Sequence, residues 1–225
     1  MTTRHRTAAL VVAASASLLL TISGTRVSGQ TGAAAASNTL AAAEAAAGWK
    51  SLFDGKTLTG WVPAGTADWT VEDGAITFTT GRGTVATTES FSNFEIRLQF
   101  WAAKNANSGV FIRSTPQGNG NTLYEINIFD PHQTAPTGSI LKIVPGTAPA
   151  VVHSVLPNRP DTAEKWNDFE ITANGTHLVV TLNGKVASDV HEEQLKLVNG
   201  KILLQAGGPD GPGIARFRNI RIRTF

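Results

Sequence analysis

The sequence predicts an all-β domain, in the form of a β-sandwich, preceded by an export signal. Three observations carry the prediction of fold class. Several segments alternate apolar and polar residues with a period of two, which is the pattern of a strand with one buried face. Asn-Gly and Asp-Gly pairs separate such segments, and they favour tight hairpins because both central turn positions take positive φ. After Ala47 no segment keeps a helical period beyond a turn or two.

The N-terminus has the layout of a secretory signal peptide, with a basic head, an apolar run and small residues before the cut. The head surrounds Arg4, the apolar run is Ala8–Ile22, and Val27–Gly29 are the small residues. A membrane anchor is the alternative, but this run is shorter than the roughly 20 residues that cross a bilayer core. We predict that residues 1–29 are removed, although Ala33–Ala36 is an alternative cleavage site. The mature protein is then periplasmic or secreted, with no membrane partner.

The mature part divides into a short spacer and one domain. Residues 30–47 are rich in Ala and low in complexity, and we predict a linker outside the fold. Residues 48–225 form one domain, of a size that buries roughly 70% of the unfolded chain's surface. The chain contains no cysteine, which excludes disulfides, cysteine-bound zinc and a thiol nucleophile.

Charge argues against nucleic acid as a partner. Loss of residues 1–29 removes three of the nineteen basic residues and none of the seventeen acidic ones, so the mature net charge is −1. A protein that tracks phosphates needs clustered Lys and Arg. Four arginines alternate along the predicted last strand, between residues 216 and 223. That spacing indicates a solvated or cross-strand-paired face.

The alternation shows where polar side chains collect. On the faces opposite the apolar stripes lie Glu95, Arg97, Gln99, Arg113, Glu125, Asn127 and Gln205, with Trp101 and Trp166 nearby. Carboxylate, guanidinium and amide groups pair with sugar hydroxyls, and aromatic rings pack against pyranose C–H faces. An ordinary solvated outer face is the alternative. The predicted hairpin turns are Asp73-Gly74, Asn174-Gly175, Asn183-Gly184 and Asn199-Gly200.

Eight sequence blocks, in order, resemble the 3-keto-disaccharide hydrolase domain family. They are residues 49–61 (WKSLFDGKTLTGW), 69–74 (WTVEDG), 94–100 (FEIRLQF), 107–113 (NSGVFIR), 124–130 (YEINIFD), 137–140 (TGSI), 200–205 (GKILLQ) and 217–222 (FRNIRI). The resemblance covers nearly all of residues 48–225. It implies an exported, concanavalin-like jelly-roll sandwich of two antiparallel sheets. It also implies action on glycosides whose C3 hydroxyl has been oxidised to a ketone.

Such a substrate defines the groups that the site needs. A C3 ketone acidifies the C2 proton, so the glycosidic bond can break by elimination, with water adding afterwards. This route needs a base, a positive charge or metal at the oxyanion, and a proton donor for the leaving oxygen. We predict Glu125 as the base, Arg113 at the oxyanion, and Asp130 or His132 as proton donor or relay. His132 is alternatively a loop histidine without a role. The predicted substrate contacts are Arg97, Gln99, Asn127, Trp166 and Gln205.

The sequence leaves the cofactor open. Glu125, Asp130, His132 and His153 offer oxygen and nitrogen ligands for one divalent metal ion, but no tight ligand spacing such as His-x-x-x-His occurs. We therefore predict no particular metal site.

One departure from the family pattern bears on activity. Members often carry a histidine two residues after the Leu-Gln pair, and here Gly207 follows Leu204-Gln205 at that distance. Two functions follow: an exported hydrolase or lyase for 3-keto-glycosides, or a lectin-like module that binds carbohydrate without catalysis.

Overall fold

The chain folds into two antiparallel β-sheets packed face to face, in a computed structural model that describes residues 38–114, 123–193, 199–208 and 213–225. The predicted two-sheet antiparallel jelly-roll sandwich is confirmed. The predicted signal peptide and the first part of the spacer lie outside the described residues.

One short helix and fifteen strands make up the described fold. The helix is α1 (Ala42–Ala46). The strands are β1 (Lys50–Ser51), β2 (Trp61–Gly65), β3 (Thr70–Glu72), β4 (Ala75–Phe78), β5 (Gly83–Thr87), β6 (Phe94–Ala102), β7 (Ser108–Ser114), β8 (Leu123–Ile128), β9 (Ile140–Ile143), β10 (Ala150–His153), β11 (Asn167–Asn174), β12 (His177–Leu182), β13 (Lys185–His191), β14 (Lys201–Ala206) and β15 (Ala215–Thr224).

The eight-stranded sheet has the order β13-β12-β11-β6-β15-β4-β3, with β1 paired to β15. The seven-stranded sheet has the order β10-β9-β8-β7-β14-β5-β2. A single apolar core lies between them and takes side chains from both, among them Ile96, Phe100, Ile126, Phe169 and Leu204. The face of each sheet that points away from this core is called its outer face below.

The period-two pattern predicts the strands because each residue's face depends only on its place in the strand. In β6 every second residue is buried, from Phe94 to Ala102, and the residues between them are half-buried. Asn183-Gly184 joins β12 to β13 with φ values of 50° and 76°, as the turn type requires. The Asn199-Gly200 turn prediction is wrong, because Gly200 exchanges backbone hydrogen bonds with Phe91.

The end of the Ala-rich segment contacts the sandwich, whereas the sequence predicts a spacer outside the fold. Asn38 donates a side-chain hydrogen bond to the Gly74 carbonyl (2.9 Å) and accepts one from the Asn219 backbone (2.8 Å). Glu44, in α1, pairs with Arg221. The described residues include no helix long and apolar enough to cross a bilayer.

Candidate active site

Glu125 lies in β8, on the outer face of the seven-stranded sheet. Because side chains alternate along a strand, Tyr124 and Ile126 point into the core and Glu125 points away from it. Phe111 on β7 and Leu141 on β9 are its neighbours across the strands. Glu125 is nevertheless only 4% exposed. The outer face thus holds a carboxyl group that is withdrawn from bulk water.

The electrostatic setting of Glu125 is unusual for a carboxyl group. Among the described residues none donates a hydrogen bond to it or forms an ion pair with it. Burial raises its pKa to about 8, because a low-dielectric environment disfavours the charged form. Groups with strongly shifted pKa values concentrate at functional sites. Near neutral pH this carboxyl can exist in either protonation state, as a proton-transfer group requires.

Gly109, on β7, provides the space that the Glu125 side chain occupies. A Cβ atom at position 109 would overlap Oε1 of Glu125 and would lie 2.9 Å from its Cγ and 3.0 Å from its Cδ. The φ angle of Gly109 is not in the left-handed region, so backbone conformation does not require glycine here. The absence of a side chain at Gly109 therefore positions the carboxyl group.

Two amide side chains flank Gly109 on the same outer face. Asn127 pairs with Gly109 across the strands, and its Nδ2 donates to the Ala135 carbonyl (2.6 Å). Gln205 lies on the other side of Gly109, since the preceding residue, Leu204, pairs with Val110. The Oε1 atom of Gln205 is closed to solvent and accepts no hydrogen bond from the described residues. A ligand hydroxyl would supply the donor that this oxygen lacks.

An apolar floor surrounds these polar groups. Ala86, Phe111 and Leu203 form a second, smaller cluster of buried side chains on the outer face, and Leu123 and Ile143 pack against it. This floor explains why burial dominates the pKa of Glu125. It also offers a surface suited to the C–H face of a sugar ring.

Asp130 follows β8 and uses its carboxylate to hold two loops together. Thr137 donates its hydroxyl hydrogen to Oδ1 (2.5 Å), and Thr162 donates both its hydroxyl (2.7 Å) and its backbone N–H (2.6 Å). No described contact joins Asp130 to Glu125. The structure thus gives this carboxylate a loop-bracing position and does not bring it to the predicted base.

His132 lies in the same loop and keeps one ring nitrogen available. Its Nδ1 accepts hydrogen bonds from the backbone N–H groups of Ala135 (3.0 Å) and Thr134 (3.3 Å). In the neutral ring this pattern assigns the proton to Nε2. The imidazole packs edge-on against Phe129 and lines an open depression of about 420 Å³. The Nε2–H group is therefore arranged to donate.

Arg113 does not lie beside Glu125, although the alternation of β7 predicts its side chain on that face. Its φ is 48°, and β7 carries one extra residue relative to β14 at this point. Such a bulge turns the side chain to the other face. The guanidinium, 1% exposed, donates to the carbonyls of Ser92 (2.7 Å) and Gly175 (2.5 Å) and to Oδ1 of Asn93 (3.0 Å). Arg113 thus ties the two sheets together, away from the predicted oxyanion position.

Three of the predicted substrate contacts belong to the other sheet. Arg97 and Gln99 lie on the outer face of β6, and Trp166 immediately precedes β11. Arg97 pairs with Glu95 (2.8 Å), and Gln99 donates to Asp168 (2.9 Å). The grouping of these residues with Glu125 is therefore wrong, because the sandwich separates them. Asn127 and Gln205 are the two predicted contacts that do share its face.

The four predicted metal-ligand candidates do not lie close together in the fold. The described residues contain no group of three or more His, Asp or Glu that could hold a metal ion. Glu125 lies on β8 and His153 on β10, with β9 between them. The oxygens of Asp130 and the Nδ1 of His132 already accept hydrogen bonds. These four side chains do not fit a shared metal site.

Gly207 adopts a backbone conformation that suits glycine. Its φ is 62°, in the left-handed region that side chains disfavour. A Cβ atom there would lie 3.0 Å from the Gly81 carbonyl oxygen and 3.4 Å from Cγ of Arg82. The position where the family pattern often has a histidine is thus shaped here for a residue without a side chain.

Sequence reasoning missed Gly109 and the apolar floor. A glycine inside an alternating strand is a signal of close approach by another group, and Gly109 sits inside such a strand. The floor had no comparable signal, since Phe111 and Leu203 look like exposed members of an amphipathic strand. Their burial depends on the tertiary structure.

Comparisons with known proteins agree with the observed fold and with the family resemblance. The chain matches the 3-keto-alpha-glucoside-1,2-lyase-like domain over residues 48–223. It is 35% identical over 77 residues to a 3-keto-disaccharide hydrolase of Bacteroides thetaiotaomicron, covering 28% of this chain and 27% of that protein. The chain therefore spans about a quarter of the length of that curated relative.

Solved structures show the same architecture. A candidate glycosyl hydrolase of Parabacteroides distasonis superposes with a TM-score of 0.61 at 20% identity, covering 84% of this chain and 99% of that one. A second one, from the same organism, gives a TM-score of 0.57 at 26% identity, with coverage of 79% and 99%. With the sandwich and the outer-face carboxyl in place, the family match over most of the domain is decisive. The chain belongs to the 3-keto-alpha-glucoside-1,2-lyase-like domain family.

Proposed function

We propose that the protein is a hydrolase or lyase that cleaves 3-keto-glycosides on the outer face of the seven-stranded sheet. The observation that carries the proposal is Glu125, a buried carboxyl group with a pKa of about 8 and with no hydrogen-bond or ion-pair partner among the described residues. Family membership supports the substrate class. The signal-peptide layout of residues 1–29 supports a periplasmic or secreted location, which N-terminal sequencing of the exported protein would check.

The reaction starts at C2. The Glu125 carboxylate takes the C2 proton, and the electrons of that C–H bond form an enolate with the C3 carbonyl. The enolate then re-forms the ketone as C1 and C2 become doubly bonded and the C1–O bond breaks, releasing the aglycone oxygen with its electron pair. That oxygen needs a proton, for which the Glu125 carboxyl, now carrying the C2 proton, is the proposed source, with Nε2–H of His132 as the proposed hydrogen-bond donor to the departing oxygen. A lyase stops at this unsaturated ketone, whereas a hydrolase adds water across C1 and C2.

The surroundings of Glu125 suit this step. A base is most effective when its pKa lies near the working pH, and burial brings the pKa of Glu125 to about 8. The Phe111 floor would contact the C–H face of the sugar, and Oε1 of Gln205 would accept a hydrogen bond from a ring hydroxyl. Both contacts would hold C2 within reach of the carboxylate, which is the positioning part of catalysis.

The test uses the purified protein with a 3-keto-glucoside that carries a chromogenic leaving group. We expect release of the chromophore with the 3-keto-glucoside and none with the parent glucoside, because only the ketone acidifies C2. A parallel reaction with chelator reports whether a metal takes part. Saturable sugar binding without release would refute the catalytic proposal and support a lectin-like module.

A Gly109→Ala substitution is expected to lower kcat/KM about 100-fold, an effect on the order of that from small misplacements of catalytic groups. The added methyl group would overlap the Glu125 carboxyl and push it from its place. A double-mutant cycle with Glu125→Asp, measured as kcat/KM, checks the cause. The shorter side chain leaves room for the methyl group, so the two effects should not be additive. Additive losses would contradict a positioning role for Gly109.

Glu125 should also make stability depend on pH. In the unfolded chain its pKa is near 4.5, and in the folded chain it is about 8. Between these values the folded state binds more protons, so its contribution to the free energy of unfolding is full below pH 4.5 and is lost as pH rises to 8. The total is on the order of 5 kcal/mol.

Urea unfolding of wild type and Glu125→Gln between pH 4 and 9 measures this contribution. The glutamine variant cannot titrate at this position. The free energy of unfolding of the variant minus that of the wild type should therefore increase as pH rises from 4.5 to 8, and this difference should stay constant above pH 8. Parallel stability curves for the two proteins would show that the folded pKa of Glu125 is not raised.

A further inference from the structure

Five arginines project from the outer face of the eight-stranded sheet, and three of them are neutralised by carboxylates. Arg97 and Arg223 both pair with Glu95, at 2.8 Å and 2.7 Å. Arg221 pairs with Glu44. Glu170 also lies 3.6 Å from Arg97. Three of the five guanidinium groups are therefore partners in internal ion pairs.

Arg216 and Arg218 differ from the other three. Within the described part of the chain, neither forms a salt bridge, and Arg216 donates no hydrogen bond to a protein acceptor. The Nε atom of Arg216 is closed to solvent without a partner. Arg218 donates Nε–H to Oε1 of Gln99 (2.8 Å), which orients the guanidinium and leaves its two terminal NH₂ groups without a described acceptor. Among the described residues, Arg216 therefore has no carboxylate partner, and Arg218 has an electrostatic interaction with Asp168 but no salt bridge.

Both guanidinium groups lie against tryptophan rings. Arg218 stacks on Trp166 with its Cζ 3.7 Å from the ring centroid, and Arg216 lies 5.6 Å from that of Trp101. Arg216 and Trp101 are direct cross-strand partners on β15 and β6. Both tryptophans are half-buried. The result is a platform of two cations and two aromatic rings, here called the Arg-Trp platform and consisting of Trp101, Trp166, Arg216 and Arg218.

We propose that the Arg-Trp platform is a second saccharide site, which binds a sugar bearing a carboxylate, such as a uronic acid. A guanidinium group binds a carboxylate through two parallel N–H···O bonds, and the terminal NH₂ groups of Arg218, which have no described acceptor, can make that contact. The indole rings provide the surface for the C–H face of the pyranose. The site lies on the opposite side of the sandwich from Glu125 and so goes beyond the proposed catalysis.

Charge complementarity favours this ligand over a nucleic acid or another polyanion. Among the described residues, the platform presents two cations that form no salt bridge. The carboxylate of Asp168 interacts electrostatically with Arg218, and Gln99 contacts both residues. A chain of phosphates needs a longer track of positive charge. A single carboxylate matches the two available cations, and the adjacent rings match the sugar that carries it.

The test titrates ¹⁵N-labelled protein with methyl glucuronide and follows the indole N–H signals. We expect the signals of Trp101 and Trp166 to shift saturably and that of Trp49 to stay unchanged. The Arg216→Gln/Arg218→Gln double variant should bind at least about tenfold more weakly, since each charge-assisted hydrogen bond contributes substantially to binding. Arg221→Gln is the matched control, which removes a paired cation from the same strand and should change the affinity less than twofold.

Three results would overturn the proposal. They are equal affinity for methyl glucuronide and methyl glucoside, tighter binding of inorganic phosphate or a DNA oligonucleotide than of the glucuronide, and equal loss in the double variant and in Arg221→Gln. The platform is tested apart from catalysis, because Glu125→Gln should keep full glucuronide affinity. The double variant should conversely keep its turnover of a neutral 3-keto-glucoside. Thermal unfolding of each variant confirms that it is folded.

Discussion

Replacement of Glu125 by Gln is expected to lower kcat/KM for a 3-keto-glucoside by about 10³, within the range of general acid–base catalysis. Glutamine keeps the size of the side chain and its place over Gly109 but cannot accept the C2 proton. Substrate affinity should change little, since the amide still fills the same space. Initial rates of chromophore release and sugar binding by calorimetry together separate these two effects.

The pH dependence of kcat/KM is a second, independent test of Glu125 as the base. The carboxylate is the active form of a base, so kcat/KM of the wild type should rise about tenfold per pH unit below the pKa of Glu125. It should level off near pH 8, the value to which burial raises this pKa. A rate that falls through pH 8 would instead assign Glu125 as a proton donor.

The control is Glu170→Gln, on the outer face of the other sheet. The Glu170 side chain is 44% exposed and lies 3.6 Å from Arg97, so its loss should leave turnover within about twofold of wild type. Equal losses in Glu125→Gln and Glu170→Gln would mean that the assay reports general damage and not a base at C2.

Arg113→Met is expected to lower the free energy of unfolding by about 4 kcal/mol, because each hydrogen bond to a charged group is worth about 1.5–3 kcal/mol and the contributions are not additive. Methionine fills part of the volume but leaves the carbonyls of Ser92 and Gly175 without their donor in a buried position. Urea unfolding at a fixed pH measures the loss.

This substitution also separates the two roles considered for Arg113. If Arg113 ties the sheets together, the variant loses stability, and Arg216→Met, which removes an arginine without a salt bridge, should cost about 1 kcal/mol or less. If Arg113 acted at the oxyanion, the variant would unfold like the wild type and fail in turnover. Unchanged stability with lost activity would overturn the structural assignment.

The sequence predicts the local features of this fold well. Alternation places Glu125 and Asn127 opposite the core-facing Tyr124 and Ile126, and the structure agrees. Asp73-Gly74 and Asn183-Gly184 form the predicted tight turns with positive φ at both residues. These features depend on a few consecutive residues, because strand periodicity and turn conformation are set by the backbone of the segment itself.

The alternation of polar and apolar residues does not show which of the two sheets a strand belongs to. Arg97 and Gln99 on β6 show the same alternation as Glu125 and Asn127 on β8, yet the two strands belong to different sheets. An outer face of one sheet and an outer face of the other have the same sequence signature. Only the pairing of strands distant in sequence decides which polar residues meet.

Arg113 shows a second limit of prediction from the sequence. One extra residue in β7 turns its side chain to the opposite face of the sheet. Strand periodicity alone would put Arg113 on the same face as Gly109 and Phe111, but the bulge opposite β14 and the positive φ of Arg113 send its side chain between the sheets. The partners of Arg113 come from Ser92 and from the β11–β12 turn at Gly175, distant in sequence.

By itself, the sequence determined the all-β class, the strand faces and two of the four predicted turns, since all of these depend on local patterns and short motifs. It also singled out Glu125 as the candidate base, which stays a prediction. Only the tertiary structure decided that Gly109 contacts Glu125, that Asn127 and Gln205 share its outer face, that Arg113 joins the sheets and that Arg216 and Arg218 form no salt bridge among the described residues. The physical reason is that burial, pKa and pairing are set by neighbours across strands, and those neighbours are fixed by the pairing of segments far apart in the chain.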